Sequence, residues 1–304
     1  MADVQAHTAR LIALFVSCVL YGILLTTFVP CLRSLLFSAS QKSQFRPRDE
    51  IKMPIVAATI AMFFVSTFSA VIAMQDVLDA FINYHGPGGA LEFYGNLHTL
   101  NNGWTHWMPA VEDSAQVILG DGLLVYRCYV LYNRNWRVIA APSIAWVTLV
   151  AVSITASYRE ITLKGGQSLN DPSVQPIISA ALILSFAISV MTTYLIIRKL
   201  LKTEFNLISC CATRPHILRQ IARIFFETGL IYTLSLVVSF AIYLVSSNLQ
   251  YVISLALINI IPITCNLLLI RVGGINHADQ RLAPGSHNAA LTAQKFNPKA
   301  VEEV

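Results

Sequence analysis

VEDSAQVILGDGLLVYRCYVLYNRNWR, residues 111–137, is apolar enough to cross a bilayer, yet it carries Asp121 and Arg127 inside the apolar run. A charge near the bilayer centre costs about 2.5–3.5 kcal/mol on insertion scales, so such residues face a bundle interior or a wet cavity. A helix built from this stretch needs protein neighbours on at least one side. The rest of the chain offers further apolar runs on both sides of it.

Of the 304 residues, 55% are hydrophobic and only 12% charged, with a mean hydropathy of +0.61. Soluble domains carry about 25% charged residues. The composition therefore indicates an all-α polytopic membrane protein whose solvent is the lipid bilayer. The first run, Leu11 to Leu32, is uncharged throughout and is followed by no small-residue cleavage site. It reads as a first span that also targets the chain, not as a cleaved signal peptide.

A spanning helix needs about 20 apolar residues. Seven stretches qualify: 11–31, 54–76, 111–132, 138–157, 176–198, 221–245 and 251–271. Pro54, Pro142 and Pro176 stand early in their spans, where a missing N–H is tolerated. The polar break Ser246-Ser247-Asn248-Leu249-Gln250 divides the long uncharged run after Glu227 into two crossings. The domain reading is a seven-helix unit over 1–272 and a disordered cytoplasmic tail over 273–304.

Lysine and arginine set the orientation. With the N-terminus outside, only Arg10, Arg159 and Lys164 lie on the outer side and Arg127 lies within the membrane, which leaves 17 of the 21 basic residues on the inner side. The C-terminus is then cytoplasmic. The long outer segment, 77–110, is rich in Gly, Asn, His and aromatics, and Leu91 to Leu100 reads as a short helix within it. Trp104 and Trp107 suit an outer aromatic belt and Trp136 an inner one. Asp76, Asp79, Glu92, Glu112 and Asp113 form an acidic outer rim.

Depths follow from a rise of 1.5 Å per residue: Asp121 lies roughly 18 Å and Arg127 roughly 9 Å from the inner end of the third span. Glu227 and Asn266 fall near the depth of Arg127, and Asn259 near that of Asp121. Two polar layers result, Asp121 with Asn259, and Arg127 with Glu227 and Asn266. An Arg127–Glu227 pair would remove two isolated charges from lipid at once. It reads either as a static pair or as a switch between the third and sixth spans. Pro262 stands inside the seventh span, where it frees the carbonyl of Ile258 and kinks the helix. Cys210 and Cys211 lie in a basic inner loop and are candidates for palmitoylation, or else free thiols. His85, His98 and His106 share the outer loop at spacings that match no standard metal pattern. No P-loop, GxSxG or strand-linked GxGxxG occurs, so neither an enzyme nor a cofactor is expected, nor a nucleic-acid partner.

GDGLLVYRCYVLYNRNWRV (120–138) and IIPITCNLLLIRVGG (260–274) resemble a large set of seven-helix membrane proteins of basidiomycete fungi. The resemblance covers the chain to about residue 274, and it implies topology and class, not a reaction. The layout is also similar to that of G-protein-coupled receptors, but Tyr126, not an acid, precedes Arg127, and the last span carries no NPxxY. The reading is a receptor-like protein, most simply of the plasma membrane, with a small extracellular ligand and a signalling partner at the basic inner loops. The alternative is a small-solute transporter or channel.

Sidedness is directly testable. Gly88→Cys is expected to react with an impermeant thiol reagent on intact cells, and Ser43→Cys only after permeabilisation. The reverse pattern would invert the topology.

Overall fold

The computed structural model describes residues 6–36, 53–95, 108–162, 175–209, 216–245 and 248–282. They form α1 (Ala6–Leu36), α2 (Met53–Leu78), α3 (Gly89–Gly95), α4 (Met108–Leu131), α5 (Trp136–Thr162), α6 (Gln175–Ser209), α7 (His216–Leu244) and α8 (Gln250–Leu282), with a π-helical turn at Asp79–Asn83 after α2. Six helices are long and apolar enough to cross a membrane: α1, α2, α5, α6, α7 and α8. The fourth is less apolar because Glu112, Asp113, Asp121 and Arg127 interrupt it.

Long helices of this composition must bury or bond every polar backbone group within themselves when lipid is the solvent. Their outward faces are accordingly apolar: Phe15, Phe64, Ile144, Val147, Ile154, Ile183, Leu230 and Leu234 are all exposed. The chain runs up and down. Arg10 at the start of α1 meets Asp76 at the end of α2, Ser114 early in α4 meets Ser157 late in α5, and Tyr243 late in α7 meets the Gln175 carbonyl at the start of α6. The end of the bundle that holds Arg10 is the first rim; the opposite end, where α8's Gly273 lies against Ser34 of α1, is the second.

Neighbours in the chain pack side by side from α4 through α8, α1 packs on α2, and α1 closes the ring against α8. The fourth helix is enclosed by α2, α5, α6 and α8. Its turn into α5 is tight, with Asn133 and Arg134 in the left-handed region at φ 54° and 60°. Two apolar cores flank this helix. One joins Val125 and Cys128 to Ile139, Leu149, Ile188 and Ile196. The other joins Leu123 to Ile55, Met62, Tyr232, Leu236 and Ile261.

Element boundaries depart from the sequence reading in several places. Pro142 is not in a first turn: α5 starts at Trp136, so the proline stands inside the helix. The sixth helix continues past residue 198 to Ser209, and its Glu204 meets Arg219 of α7 at 3.4 Å. The last helix continues past the expected end at 271 to Leu282. Gly273 and Gly274 do not stop it. In the outer segment, a short helix is present over Gly89–Gly95, and residues 96–100 of the expected helix lie outside the described residues. Trp104, Trp107, His98, His106, Cys210, Cys211 and the tail from 283 lie outside the described residues.

The Ile258 carbonyl freed by Pro262 is met from outside the helix. Ser66 of α2 donates its hydroxyl to it at 3.0 Å, in a fully buried position. The next residue, Asn259, donates to Ser17 of α1 at 3.0 Å. The proline thus converts α8's own backbone acceptor into a link between helices. An unpaired buried acceptor costs about 1–3 kcal/mol. Ser66→Ala is expected to lower thermal stability in detergent by an amount in that range. The same substitution in a Pro262→Ala background, where residue 262 regains its N–H, is expected to cost clearly less. Equal costs in the two backgrounds would show that Ser66 does not serve this carbonyl.

Candidate functional site

The GDG sequence at 120–122 packs the middle of α4 against four neighbours. A Cβ at Gly120 would stand 2.6 Å from Ile261 Cγ2 of α8, and one at Gly122 would stand 3.1 Å from the Trp146 ring of α5. Trp146 Nε1 donates to the Ile118 carbonyl at 3.1 Å on the same contact. The two glycines let α8 and α5 approach closely, and Asp121 between them points to α6 and α7.

Asp121 is fully buried. Its Oδ2 accepts from Ser185 Oγ of α6 at 2.5 Å, and its Oδ1 accepts from Tyr232 OH of α7 at 2.8 Å. The two hydroxyls lie 3.0 Å apart. A single carboxyl group thereby joins three helices near mid-depth. In the low-dielectric interior of a bundle such hydrogen bonds are electrostatically stronger than in water.

The two expected polar layers do not form as drawn. Asn259 bonds to Ser17 and to the Leu255 carbonyl, not to Asp121. The predicted Arg127–Glu227 contact is also absent. Glu227 is half-buried, and it accepts from Arg223 Nε and from Arg271, each at 3.0 Å. Equal depth is not equal azimuth: Glu227 turns to the outer face of α7, where the second-rim arginines reach it. Asn266 is 1% exposed, and both its side-chain polar atoms are unbonded.

Arg127 is 9% exposed, and its Nε and Nη2 have no partner. It lines a cleft of about 30 Å³ enclosed by α4, α6, α7 and α8. Thr193, Thr228, Tyr232, Thr264 and Cys265 share that wall with Gly120 and Gly229. A cavity of about 10–15 Å³ already admits a water. Tyr232 belongs to both places, bonded to Asp121 and forming part of the cleft.

At the first rim a second cluster clasps the bundle. Arg10 Nη1 and Asp76 Oδ2 are 2.8 Å apart. The Arg10 guanidinium also lies 4.9 Å from the Tyr94 ring centroid and 4.3 Å from that of Tyr251. Tyr94 OH donates to Asp76 Oδ2 at 3.3 Å. Burial, then the neighbouring Asp76 charge, hold the Tyr94 phenol protonated above its ordinary range. Four elements, α1, α2, α3 and α8, meet here. The sequence reading named Asp76 only as part of an acidic rim and left Arg10 as an outer charge. Their complementary signs at the near ends of adjacent antiparallel spans were the available signal.

Just beneath the clasp, Ser69 of α2 lies beside Glu112 of α4. Glu112 is 5% exposed and Gln116, one turn on, is wholly buried; Glu112 Oε1 and both Gln116 amide atoms are unbonded. At the second rim the Trp136 ring is exposed and lies 5.0 Å from that of Tyr129, as an interfacial aromatic would. Among the described residues there is no His/Cys/Asp/Glu group arranged to hold a metal.

Coupling energies separate these contacts. Asp121→Asn and Tyr232→Phe are expected to lower thermal stability non-additively, with an interaction energy of about 0.5–3 kcal/mol in a double-mutant cycle. Arg127→Gln and Glu227→Gln are expected to add, because the two side chains do not meet. Coupling in the second cycle and additivity in the first would contradict the arrangement.

No protein-family model matches the chain, and neither a curated protein nor a solved structure does.

Proposed function

We propose that this integral membrane protein is a receptor-like signalling protein of seven spanning helices, with α4 as the third crossing. Six of the helices qualify as spans on length and composition alone. The seventh has charges that need no lipid contact, since four helices surround it. The first rim is taken as extracellular and the second as cytoplasmic. Arg33, Arg134, Arg137, Arg198, Lys199, Lys202, Arg219, Arg223 and Arg271 stand at the second rim, against Arg10 and Arg159 at the first, and basic residues mark the cytoplasmic side. By the same reading the membrane is the plasma membrane, the stimulus a small extracellular ligand, and the cytoplasmic partner one that meets the basic second rim. No enzymatic role is assigned.

The observation that carries the reading is the double position of Tyr232. Its hydroxyl is held by Asp121 at mid-depth, and its side chain lines the cleft in the second-rim half. A change at the Asp121 clamp therefore changes the wall of the cleft, between α4, α6 and α7. Transmembrane coupling requires a two-state element, and in this reading Tyr232 supplies it.

A second reading, a small-solute transporter or channel, is favoured by one specific observation. Glu112, Gln116, Asp121 and Arg127 are all buried on α4, and unbonded polar atoms persist at three of these four residues. Such a file suits a path for a polar solute.

Spin labels at Arg137→Cys and Gln220→Cys, in a chain without reactive native cysteines, report the second-rim separation of α5 and α7. The distance distribution is expected to shift or broaden in Tyr232→Phe and in Asp121→Asn. Unchanged distances in both variants, together with solute flux in proteoliposomes, would replace the receptor reading with the transporter one.

A further inference from the structure

A buried guanidinium without a partner is the most costly feature of this interior. Arginine stays charged in proteins, and a buried charge is normally paired. Arg127 has nine-tenths of its surface buried and two unbonded nitrogens, and it borders an enclosed cleft. Every other residue lining that cleft is uncharged. The acid nearest in expected depth, Glu227, is engaged by Arg223 and Arg271. Asp121, six residues earlier in the chain and so about 9 Å along the helix, has both carboxyl oxygens occupied by Ser185 and Tyr232. Among the described residues, no acid pairs with Arg127.

We propose that the cleft bordered by Arg127, Thr193, Thr228 and Thr264 binds a small monovalent inorganic anion of halide size as the counter-ion of Arg127. The chemistry is that of a charge-assisted pair. The guanidinium offers N–H donors in a fixed fork. The cleft's free space of about 30 Å³ exceeds the 10–15 Å³ that a single water needs, so a monatomic anion fits beside the guanidinium. The threonine hydroxyls of Thr228 and Thr264 already donate to the Ile224 and Ile261 carbonyls in their own helices. Their protons are therefore not offered to the cleft, and Arg127 is the group that selects the sign of the occupant. Because its walls come from α4, α6, α7 and α8, an anion there cross-links the helices that the Asp121 clamp joins from above. The inference stands apart from the signalling reading, since a bound anion would serve a receptor and a transporter alike.

The test uses the full chain, purified in detergent and held at constant ionic strength and pH while chloride or bromide replaces gluconate. The melting temperature is expected to rise by a few degrees and to saturate, as a ligand that binds only the folded state requires. Gluconate and sulfate are expected to leave it unchanged. Arg127→Gln is expected to abolish the halide dependence, and Arg127→Lys to retain part of it. If Arg127→Gln does not fold, bromide soaked into the wild-type protein decides the matter, with anomalous density expected beside the guanidinium. Equal melting temperatures in chloride and gluconate, an equal rise with sulfate, a halide response that persists in Arg127→Gln, or bromide density absent from the Arg127 cleft would each overturn the proposal.

Discussion

Everything in this bundle follows from the cost of keeping α4 away from lipid. A helix that carries Glu112, Asp121 and Arg127 on its buried face is expensive to expose to hydrocarbon and tolerable inside protein. Enclosure by α2, α5, α6 and α8 meets that constraint, and it requires those helices to approach closely. Gly120 and Gly122 supply the space, one under Ile261 and the other under Trp146. In membranes, where lipid tails are as apolar as leucine, such close packing and interhelical hydrogen bonds hold helices together in place of the hydrophobic effect.

The polar groups are distributed in tiers along the bundle axis. At the first rim Arg10, Asp76, Tyr94 and Tyr251 clasp the ends of α1, α2 and α8 with α3 laid over them. At mid-depth Asp121 gathers α6 and α7 onto α4, while Ser17 and Ser66 hold α8 at its proline. Toward the second rim the tier is incomplete: Arg127 and Asn266 are buried without partners, and the available acid is turned outward among arginines. Unpartnered buried polar atoms thus occur on both sides of the Asp121 clamp, at Glu112 and Gln116 toward the first rim and at Arg127 and Asn266 toward the second. Tyr232 belongs to the clamp and to the cleft wall, which gives the former a route to the latter.

Arg127 and Glu227 show where one-dimensional reasoning stops. A rise per residue predicts depth, and their depths were estimated as equal. Whether two side chains meet also depends on the rotation of each helix about its axis and on which helices are adjacent. The fourth and seventh helices are separated at this level by the cleft, so Glu227 finds Arg223 on its own helix and Arg271 on α8.

The sequence by itself determined the helical class, the runs that become α1, α2, α5, α6, α7 and α8, the break between α7 and α8, and the need to enclose the stretch around Asp121. These are matters of composition and local period, and an apolar run of sufficient length has few alternatives in a membrane. It also identified the Ile258 carbonyl as an orphan, because proline's missing N–H acts within one helix. The tertiary structure alone decided who meets that carbonyl, which partners Asp121 holds, and that Arg127 is left without one. Those outcomes depend on contacts between residues as far apart as Ser66 and Ile258, or Asp121 and Tyr232, and such contacts are set by helix rotation and packing, which no local period encodes.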